Sequence, residues 1–236
     1  MKNLFLFLFL LVVFTSKAQD NRVSGLNSRQ FTKYWKVESE SPDYKVTFQG
    51  DTAEIVSPKG LTLWRKEKMS GKVTIEYDAC VVVESDGDRL SDLNCFWMAS
   101  DPQYPDNLWK REKWRSGIFL NCYSLQLYYL GYGGNHNSTT RFRRYDGDES
   151  GITNPKARPA ILKEYTDAGH LLKPNHWYHI KITNENNRVS YYIDGERLVD
   201  FRDAEPLREG WFGFRTTLSR TRITNFSYEC SSQEAT

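Results

Sequence analysis

The sequence predicts an all-β protein built as a two-sheet antiparallel β-sandwich. Segments in which β-branched or aromatic residues alternate with polar ones recur along the chain, and turn-forming pairs such as Asp194-Gly195 separate them. Helical patterns are scarce. A chain of 236 residues with 39% hydrophobic and 14% aromatic residues can bury the core that two packed sheets need. The same composition excludes intrinsic disorder.

The strand predictions rest on period-two alternation, because successive side chains of a strand lie on opposite faces of the sheet. The predicted strands at 177–183, 188–193 and 197–201 follow one another as a meander, and the Asp194-Gly195 turn joins the last two. The long loop at residues 100–116 is rich in Trp, Lys and Arg and is expected to contain a short helix over residues 106–114. The predicted strands cover residues 44–48, 72–84, 93–99, 125–130, 139–145, 177–183, 188–193, 197–201, 211–217 and 222–229.

Residues 1–18 have the features of a secretory signal peptide. Lys2 provides a short basic region, residues 4–14 form an unbroken apolar run, and Ser16-Lys17-Ala18 is a small-x-small cleavage motif. The apolar run is too short to span a bilayer. We therefore expect a single domain over residues 19–236 that is periplasmic or secreted and has no membrane partner.

The net charge of +2 belongs entirely to the predicted signal peptide, which contains Lys2 and Lys17 and no acidic residue. Without these two lysines, the 32 basic residues fall to 30 and equal the 30 acidic residues. A protein that binds nucleic acid by neutralising phosphates normally has a basic surplus. Nucleic acid is therefore not an expected partner.

A local cationic segment stands out within this neutral chain. Residues 107–147 contain seven Lys or Arg residues and two acidic ones, and a glycine-rich stretch precedes the strand at 139–145. Alternation places Arg141, Arg143 and Tyr145 on one face of that strand. Arginine binds carboxylates and sulfates with two parallel hydrogen bonds. The pattern favours a site for an anionic carbohydrate, and the alternative is a solvated face whose arginines pair with nearby acids. The candidate substrate-binding residues are Arg141, Arg143, Asn135, Asn137, Asp92 and Asn94. For Asp92 and Asn94, which lie in a second cluster over residues 91–102, the alternative is that they cap a turn before the strand.

The four histidines match no metal-ligand spacing. His170 follows Gly169 in a predicted loop and is the preferred acid or base, with His136 as the second choice. Residues 146–151 resemble the start of a calcium loop, but the twelfth position is Ala157 and not glutamate. We expect no cofactor, with calcium as the weaker alternative.

The four cysteines, Cys80, Cys95, Cys122 and Cys230, lie within apolar runs. Cysteine in such surroundings usually behaves as a small buried hydrophobic residue. Free buried thiols are favoured over a disulfide framework, although one disulfide remains an alternative in an exported protein.

Four motifs of the sequence carry a resemblance to a known family. They are Ser91-Asp92-x-Asn94-x-Phe96-Trp97-x-Ala99, the block 128–147, His170-Leu171-Leu172 and Gly213-Phe214-Arg215-Thr216-Thr217. These motifs resemble concanavalin A-like jelly-roll proteins, and most closely a group encoded in Bacteroidetes polysaccharide-utilisation loci, of the ulvan-oligosaccharide dehydratase or polysaccharide lyase type. The resemblance covers most of residues 19–236 and implies that this single domain is catalytic.

This resemblance implies a uronic acid substrate and a β-elimination that forms a 4,5-unsaturated uronate at the non-reducing end. Such a reaction needs a cation at the carboxylate, a base for the C5 proton and an acid for the C4 oxygen. Water leaves in a dehydratase and a sugar leaves in a lyase, and the side chains do not distinguish them. The expected carboxylate-binding residues are Arg141, Arg143 or Arg215 assisted by Asn135, and the expected proton-transfer residues are His170, Tyr132 and Tyr129.

A non-catalytic carbohydrate-binding module on the same fold is the main alternative, because a fold does not determine a function. Such a module would bind sugars through exposed tryptophans, for which Trp109 and Trp114 are candidates. A hydrolase that uses two carboxylates ranks last, since no suitable pair of carboxylates follows a strand pattern.

Overall fold

The computed structural model describes residues 22–231, and the predicted signal peptide over residues 1–18 lies outside this part. Antiparallel strands dominate, as the alternating pattern predicts. The strands are β1 (Val23–Ser24), β2 (Trp35–Ser39), β3 (Lys45–Gln49), β4 (Thr52–Arg65), β5 (Met69–Ser70), β6 (Lys72–Val81), β7 (Leu93–Ser100), β8 (Gln126–Gly133), β9 (Thr139–Asp146), β10 (Lys163–Tyr165), β11 (Tyr178–Glu185), β12 (Arg188–Ile193), β13 (Glu196–Arg202) and β14 (Glu209–Ser231). Short helical turns lie at Phe31–Tyr34, Leu108–Arg111, Glu112–Arg115, Leu120–Ser124, Gly134–Asn137, Ser150–Thr153, Pro155–Ala157 and Ala168–His170.

The strands form two facing sheets that share two long strands. The front sheet has the order β10-β9-β8-β7-β14-β4-β2, and the back sheet has the order β13-β12-β11-β6-β14-β4-β3. The first half of β14 lies in the front sheet and the second half in the back sheet. The register of β14 against β4 shifts between Thr217 and Ser219, where Leu218 has a φ of 50°. This irregularity lets one strand serve both sheets.

An aromatic core lies between the two sheets. Trp97 of the front sheet and Tyr191 of the back sheet have ring centroids 6.1 Å apart, and Phe214 of the front sheet meets Tyr77 of the back sheet at 4.8 Å. All four side chains are buried. Because aromatic side chains bury large apolar areas, these contacts join the sheets firmly.

A second hydrophobic cluster lies on the outer face of the front sheet. Trp64, Phe96 and Trp211 belong to this cluster and are buried, because residues 101–125 fold over them. We call residues 101–125 the covering segment. It contributes Leu108 and Cys122 to the same cluster. One part of the outer face is therefore filled, and the part near the β8–β9 hairpin stays open.

A buried ion pair attaches the covering segment to the sheet. Arg115 is fully buried, and its Nε donates to Glu38 Oε2 at 3.2 Å while its Nη2 donates to the Leu108 carbonyl at 2.6 Å. Within the segment, Arg111 donates twice to Asp101, at 2.6 and 2.8 Å, and it also donates to Glu149 in the loop after β9. Burial raises the pKa of Glu38, although Arg115 opposes this rise. The segment is thus held by charge pairing as well as by apolar contacts.

The predicted all-β sandwich is confirmed, and every predicted strand overlaps an observed one. Two predictions differ in detail, since residues 211–217 and 222–229 belong to the single strand β14 and the helix at 106–114 is two short turns. The sequence reading missed β2 and β4, and the short strands β1, β5 and β10. Cys80, Cys95 and Cys122 are buried free thiols, and Cys230 is a half-buried one. None of the helices in residues 22–231 has the length and apolar character needed to cross a bilayer.

Candidate functional site

A cleft of about 410 Å³ opens on the outer face of the front sheet, next to the covering segment. Strands β7, β8 and β9 and the β8–β9 hairpin supply most of its lining, and Phe119 and Tyr123 of the covering segment supply one wall. Arg158, from the loop before β10, completes it. Six of the residues predicted for the site line this cleft, and they are Asp92, Asn94, Tyr129, Asn135, Arg141 and Arg143.

Strand register explains why residues far apart in sequence meet here. Arg215 of β14 lies directly opposite Asn94 of β7, Asn94 lies opposite Gly131 of β8, and Gly131 lies opposite Arg141 of β9. Directly paired residues share one face of a sheet. The row from Arg215 to Arg141 therefore crosses four strands on the outer face.

Gly131 leaves room in this row for the Tyr129 phenol. A Cβ atom at Gly131 would lie 2.3 Å from Tyr129 Oη and 2.8 Å from Cζ. The phenol thus lies over the backbone of Gly131, between Asn94 and Arg141. Burial raises the pKa of Tyr129 well above its usual value, and Asp92 adds to this rise while Arg215 and Arg143 oppose it. The phenol is therefore neutral at neutral pH and suited to donate a hydrogen bond.

Asn94 holds an unpartnered acceptor in the cleft. Its Nδ2 donates to Asp92 Oδ1 at 3.2 Å, and Asp92 in turn accepts from Arg89 Nη1 at 2.6 Å. Only the amide nitrogen can donate to a carboxylate, so the orientation of the amide is fixed. Asn94 is only 6% exposed, and its Oδ1 has no hydrogen-bond partner among residues 22–231. A buried acceptor of this kind favours a ligand that brings a donor.

Two arginines of the cleft have no acidic partner. Arg143 donates to the Pro159 carbonyl, and Arg158 Nε donates to the Gly151 carbonyl at 3.3 Å. Neither guanidinium has a carboxylate of residues 22–231 within 4.0 Å. Both oppose the rise in the pKa of Tyr123 that burial causes, so both lie close to this wall of the cleft. The two arginines therefore give the cleft a positive potential that suits an anion.

The cationic segment predicted from residues 107–147 is dispersed in the structure. Arg111 and Arg115 pair with acids around the covering segment, and Arg144 pairs with Asp203 on the inner side of β9. Arg141 pairs with Glu164 of β10 at 2.6 Å. These acids all lie outside residues 107–147, so the charge count over that segment does not include them. Arg143 is the arginine of this segment that stays in the cleft without an acidic partner.

Arg215 lies beside the cleft and not in its lining. Its side chain is buried, donates to the Gly117 carbonyl, and has its guanidinium carbon 5.6 Å from the centre of the Phe119 ring. Its Nε has no hydrogen-bond partner within residues 22–231. Arg215 therefore packs against Phe119 at the end of the row that runs to Arg141. It is not placed to bind a substrate carboxylate in the cleft.

The β8–β9 hairpin has an uncommon backbone. Asn135, His136 and Asn137 have φ values of 53°, 59° and 56°, which form one turn of left-handed helix. Left-handed conformations cost L-residues roughly 1 kcal/mol each, and asparagine tolerates them best. Asn135 lines the cleft from this turn. Asn137 lies behind it, where its side chain donates to the Leu172 carbonyl at 2.9 Å. Asn137 thus has a structural role where the sequence suggested substrate binding.

The structure separates Tyr132 and His170 from the cleft, although the sequence grouped them with Tyr129 and the arginines. Side chains alternate along β8, so Tyr129 lies on the outer face and Tyr132 lies in the core between the sheets. His170 lines a different, smaller cavity of about 140 Å³, together with Tyr132. Neither residue contributes to the cleft lining, so neither is placed for proton transfer there.

The remaining predictions concern metal and tryptophan. No group of three or more His, Cys, Asp or Glu side chains in the described part of the chain is arranged to hold a metal ion. Residues 146–151 form an acidic turn in which Asp148 accepts from the Ser150 backbone at 2.9 Å. Trp109 packs against Trp211. Trp114 is exposed, and the Arg111 guanidinium lies over one face of its ring. Neither Trp109 nor Trp114 lines the cleft.

Sequence reasoning missed five side chains of the cleft, and one of them is Thr139, the first residue of β9. Phe119 and Tyr123 belong to the covering segment, and Arg158 lies in a loop without any pattern. Thr217 follows Arg215 on β14, and alternation along that strand could have placed it on the same face. For Arg158 the sequence carries no signal, because its position depends on how the loop after β9 folds back.

The fold resembles solved structures of very different sequence. A protein of unknown function with a galectin-like fold from Bacillus subtilis matches with a TM-score of 0.69 at 16% identity, over 89% of this chain and 94% of that one. The carbohydrate-binding module CBM66 from Bacillus subtilis matches with a TM-score of 0.54 at 15% identity, over 83% and 94%. The exoplasmic/lumenal domain of VIP36, in a form bound to Ca²⁺ and Man3GlcNAc, matches with a TM-score of 0.57 at 10% identity, over 92% and 91%. The chain therefore has the predicted jelly-roll fold.

Two sequence comparisons complete these findings. A comparison with curated proteins finds no match. A family model described as a domain of unknown function, DUF6250, matches residues 55–226, which is more than half of the chain. The chain therefore belongs to the DUF6250 family.

Proposed function

We propose that the cleft binds the end of an anionic carbohydrate chain and that the sugar it recognises is a uronic acid. The observation that carries this proposal is that Arg143 and Arg158, which have no acidic partner, line the same cleft as the buried and unpartnered acceptor of Asn94. The guanidinium groups fit a carboxylate, and the Asn94 oxygen fits a neighbouring hydroxyl group. A sugar acid carries both groups on one ring.

The shape of the cleft and the fold support a carbohydrate ligand. The covering segment fills the outer face on one side, so the cleft ends at Phe119 and Tyr123. A closed end suits a chain terminus better than a continuous polymer. CBM66 and VIP36 show that related folds occur in proteins whose names or bound ligands concern carbohydrates. Oligosaccharides of ulvan or rhamnogalacturonan are the substrates that the sequence resemblance suggests, and export by the predicted signal peptide would bring the protein to such glycans.

Binding measurements test this proposal. Isothermal titration calorimetry should detect uronate-terminated oligosaccharides and should show much weaker binding of neutral oligosaccharides of the same length. Arg143→Leu and Arg158→Leu should each weaken uronate binding by about tenfold or more, because a charge-assisted hydrogen bond contributes roughly 1.5–3 kcal/mol. Arg188→Leu is the matched control, since Arg188 pairs with Asp200 far from the cleft lining. Equal affinity for neutral and uronate ligands would refute the proposal.

A β-eliminating activity in the same cleft is the second candidate, and Tyr129 is the observation that favours it. In this reaction a base takes the C5 proton and the electrons of the C5–H bond form the C4=C5 double bond. The C4–O bond breaks, and the leaving oxygen keeps its electron pair and takes a proton to depart as water or as a sugar hydroxyl. The neutral phenol of Tyr129 could supply that proton. Asp92 is the carboxylate that lines the cleft and the candidate base.

Absorbance and mass spectrometry separate the two candidates. Elimination creates an unsaturated uronate that absorbs in the ultraviolet, and mass spectrometry then distinguishes loss of water from chain cleavage. Tyr129→Phe should abolish this signal and keep ligand binding. If uronate oligosaccharides bind and no absorbance develops over long incubation, the protein is a binding module and the elimination candidate is wrong.

A further inference from the structure

His170 lies between two carboxylates, outside the cleft. Its Nδ1 is 2.8 Å from both carboxylate oxygens of Asp167, and its Nε2 is 3.2 Å from Glu196 Oε1. Neutral imidazole can donate from only one ring nitrogen, whereas the protonated ring donates from both. The arrangement therefore fits protonated His170. The ring also stacks on Tyr165, with centroids 4.1 Å apart.

These contacts connect both sheets through one side chain. Tyr165 belongs to β10 of the front sheet and Glu196 begins β13 of the back sheet. Partial burial lowers the pKa of His170, but the hydrogen bonds to Asp167 and Glu196 outweigh this effect and raise the pKa. The hydrogen bond to His170 lowers the pKa of Asp167 in turn. Further charged or titratable groups around the small cavity and the stacked ring are Lys163, Lys173, His176, Asp194, Tyr132 and Tyr178.

The loop that contains His170 holds the left-handed turn of the β8–β9 hairpin. Asn137 exchanges two hydrogen bonds with Leu172, donating to its carbonyl at 2.9 Å and accepting from its amide at 2.8 Å. Thr140 Oγ1 donates to the His170 carbonyl at 2.6 Å. The Leu172 side chain packs against Gly133, where a Cβ atom would lie 2.4 Å from Leu172 Cδ1.

This turn is costly to form and is part of the cleft. Its three consecutive left-handed residues need support from neighbouring structure, because each is strained relative to ordinary backbone. The loop from Asp167 to Leu172 provides that support. Asn135 lines the cleft from the turn, and the Gly133 carbonyl accepts from the backbone of Asp92 at 3.2 Å. The turn therefore places groups on two sides of the site.

We propose that protonated His170 is a positioning residue for the cleft, which holds Asn135 and Asp92 in place through Asn137 and the left-handed turn. The inference rests on the proposed function, since it concerns ligand binding in the same cleft. It predicts that ligand affinity falls as His170 loses its proton. The sign follows from the raised pKa: the support is complete at low pH and is lost as the pH rises through the pKa of folded His170.

The test measures the affinity for a uronate-terminated oligosaccharide from about pH 5.5 to pH 8.5, the range in which histidine titrates. In the native protein the affinity should fall about two- to fivefold across this range, as expected for loss of a partly exposed ion pair. His170→Gln should show the weaker, high-pH affinity throughout and no such step. Glu196→Gln should shift the step to lower pH, because it removes one of the carboxylates that favour the protonated ring.

His176→Gln is the matched control. His176 lines the same small cavity and lies 3.6 Å from Asp194, but it forms no bond to the turn or its supporting loop. This variant should keep the native pH profile. Binding by His170→Gln with the native pH profile would overturn the inference and leave the proposed function intact.

Nuclear magnetic resonance gives a readout that does not need a ligand. The side-chain amide of Asn137 and the backbone amide of Leu172 should change chemical shift with the same midpoint as the His170 ring. Their hydrogen exchange should be faster in His170→Gln. If no ligand binds at any pH and the Asn137 amide still titrates with His170, the proposed function is refuted and the link between His170 and the turn remains. If the chemical shift of the Asn137 amide does not change as His170 titrates, the link itself is refuted.

Discussion

The buried pair of Arg115 and Glu38 tests how the covering segment is attached to the sheet. Arg115→Met removes two hydrogen bonds to Glu38 and one to the Leu108 carbonyl, and it leaves a carboxylate that is only 5% exposed without its partner. Breaking a buried ion pair in this way costs about 3–5 kcal/mol. For a protein of this size each kcal/mol lowers Tm by about 2–4 °C, so Tm should fall by roughly 6–20 °C.

The assay is urea unfolding followed by tryptophan fluorescence, at neutral and acidic pH. Burial raises the pKa of Glu38 in the folded protein, and removal of Arg115 removes an opposing influence. A carboxyl group with a raised folded pKa favours the folded state at low pH and loses that contribution as the pH rises through the folded pKa. The deficit of Arg115→Met should therefore be largest at neutral pH and should shrink on acidification.

Two controls make this test specific. Combining Arg115→Met with Glu38→Leu should recover most of the stability, because a well-packed apolar pair replaces a buried ion pair with little loss. Arg222→Met removes a more exposed partner of Glu54 and should cost less than about 1 kcal/mol. A loss below about 1 kcal/mol for Arg115→Met at neutral pH would refute the idea that this pair anchors the segment.

Three further predictions address the cleft and the cysteines. In titration calorimetry, Asn94→Leu should weaken binding of a uronate oligosaccharide about tenfold. The same variant should leave almost unchanged the affinity for a ligand that lacks the hydroxyl group bound by Asn94. Gly131→Ala should displace the Tyr129 phenol and destabilise the protein by about 1–3 kcal/mol in urea unfolding, whereas Gly87→Ala, whose Cβ would meet nothing closer than 3.9 Å, should not. Burial raises the pKa of Cys95 to about 12 and that of Cys122 to about 11, so neither thiol should react with a maleimide reagent near neutral pH until the protein unfolds.

Alternation along strands made part of the site predictable from sequence. It placed Arg141 and Arg143 on one face of β9, and the structure puts both in the cleft lining. The same rule separates Tyr129 from Tyr132 on β8, because three positions apart means opposite faces. Alternation along β8 alone therefore argues against placing Tyr132 with Tyr129 as proton-transfer residues of one site.

Other parts of the site depend on contacts that no local pattern encodes. The acids that pair with Arg115 and Arg144 are Glu38 and Asp203, which lie 77 and 59 positions away. Arg158 enters the cleft only because the loop after β9 folds back onto it. The strand β4 was missed because its middle contains Pro58 and Gly60, which indicate a turn, whereas the structure bends there from one sheet to the other.

The position of the covering segment bears on whether the ligand is the end of a glycan chain or a continuous chain. On an open jelly-roll face, a polysaccharide could cross all the strands of the front sheet. Here Trp64, Phe96 and Trp211 occupy that face under residues 101–125, and the buried pair of Arg115 with Glu38 attaches the segment to β2. Moving it aside would expose a hydrophobic cluster and break a buried ion pair, so the segment acts as a fixed wall and not as a lid. A ligand in the cleft must therefore stop at this wall, which agrees with our proposal that the arginines beside it bind a terminal sugar acid.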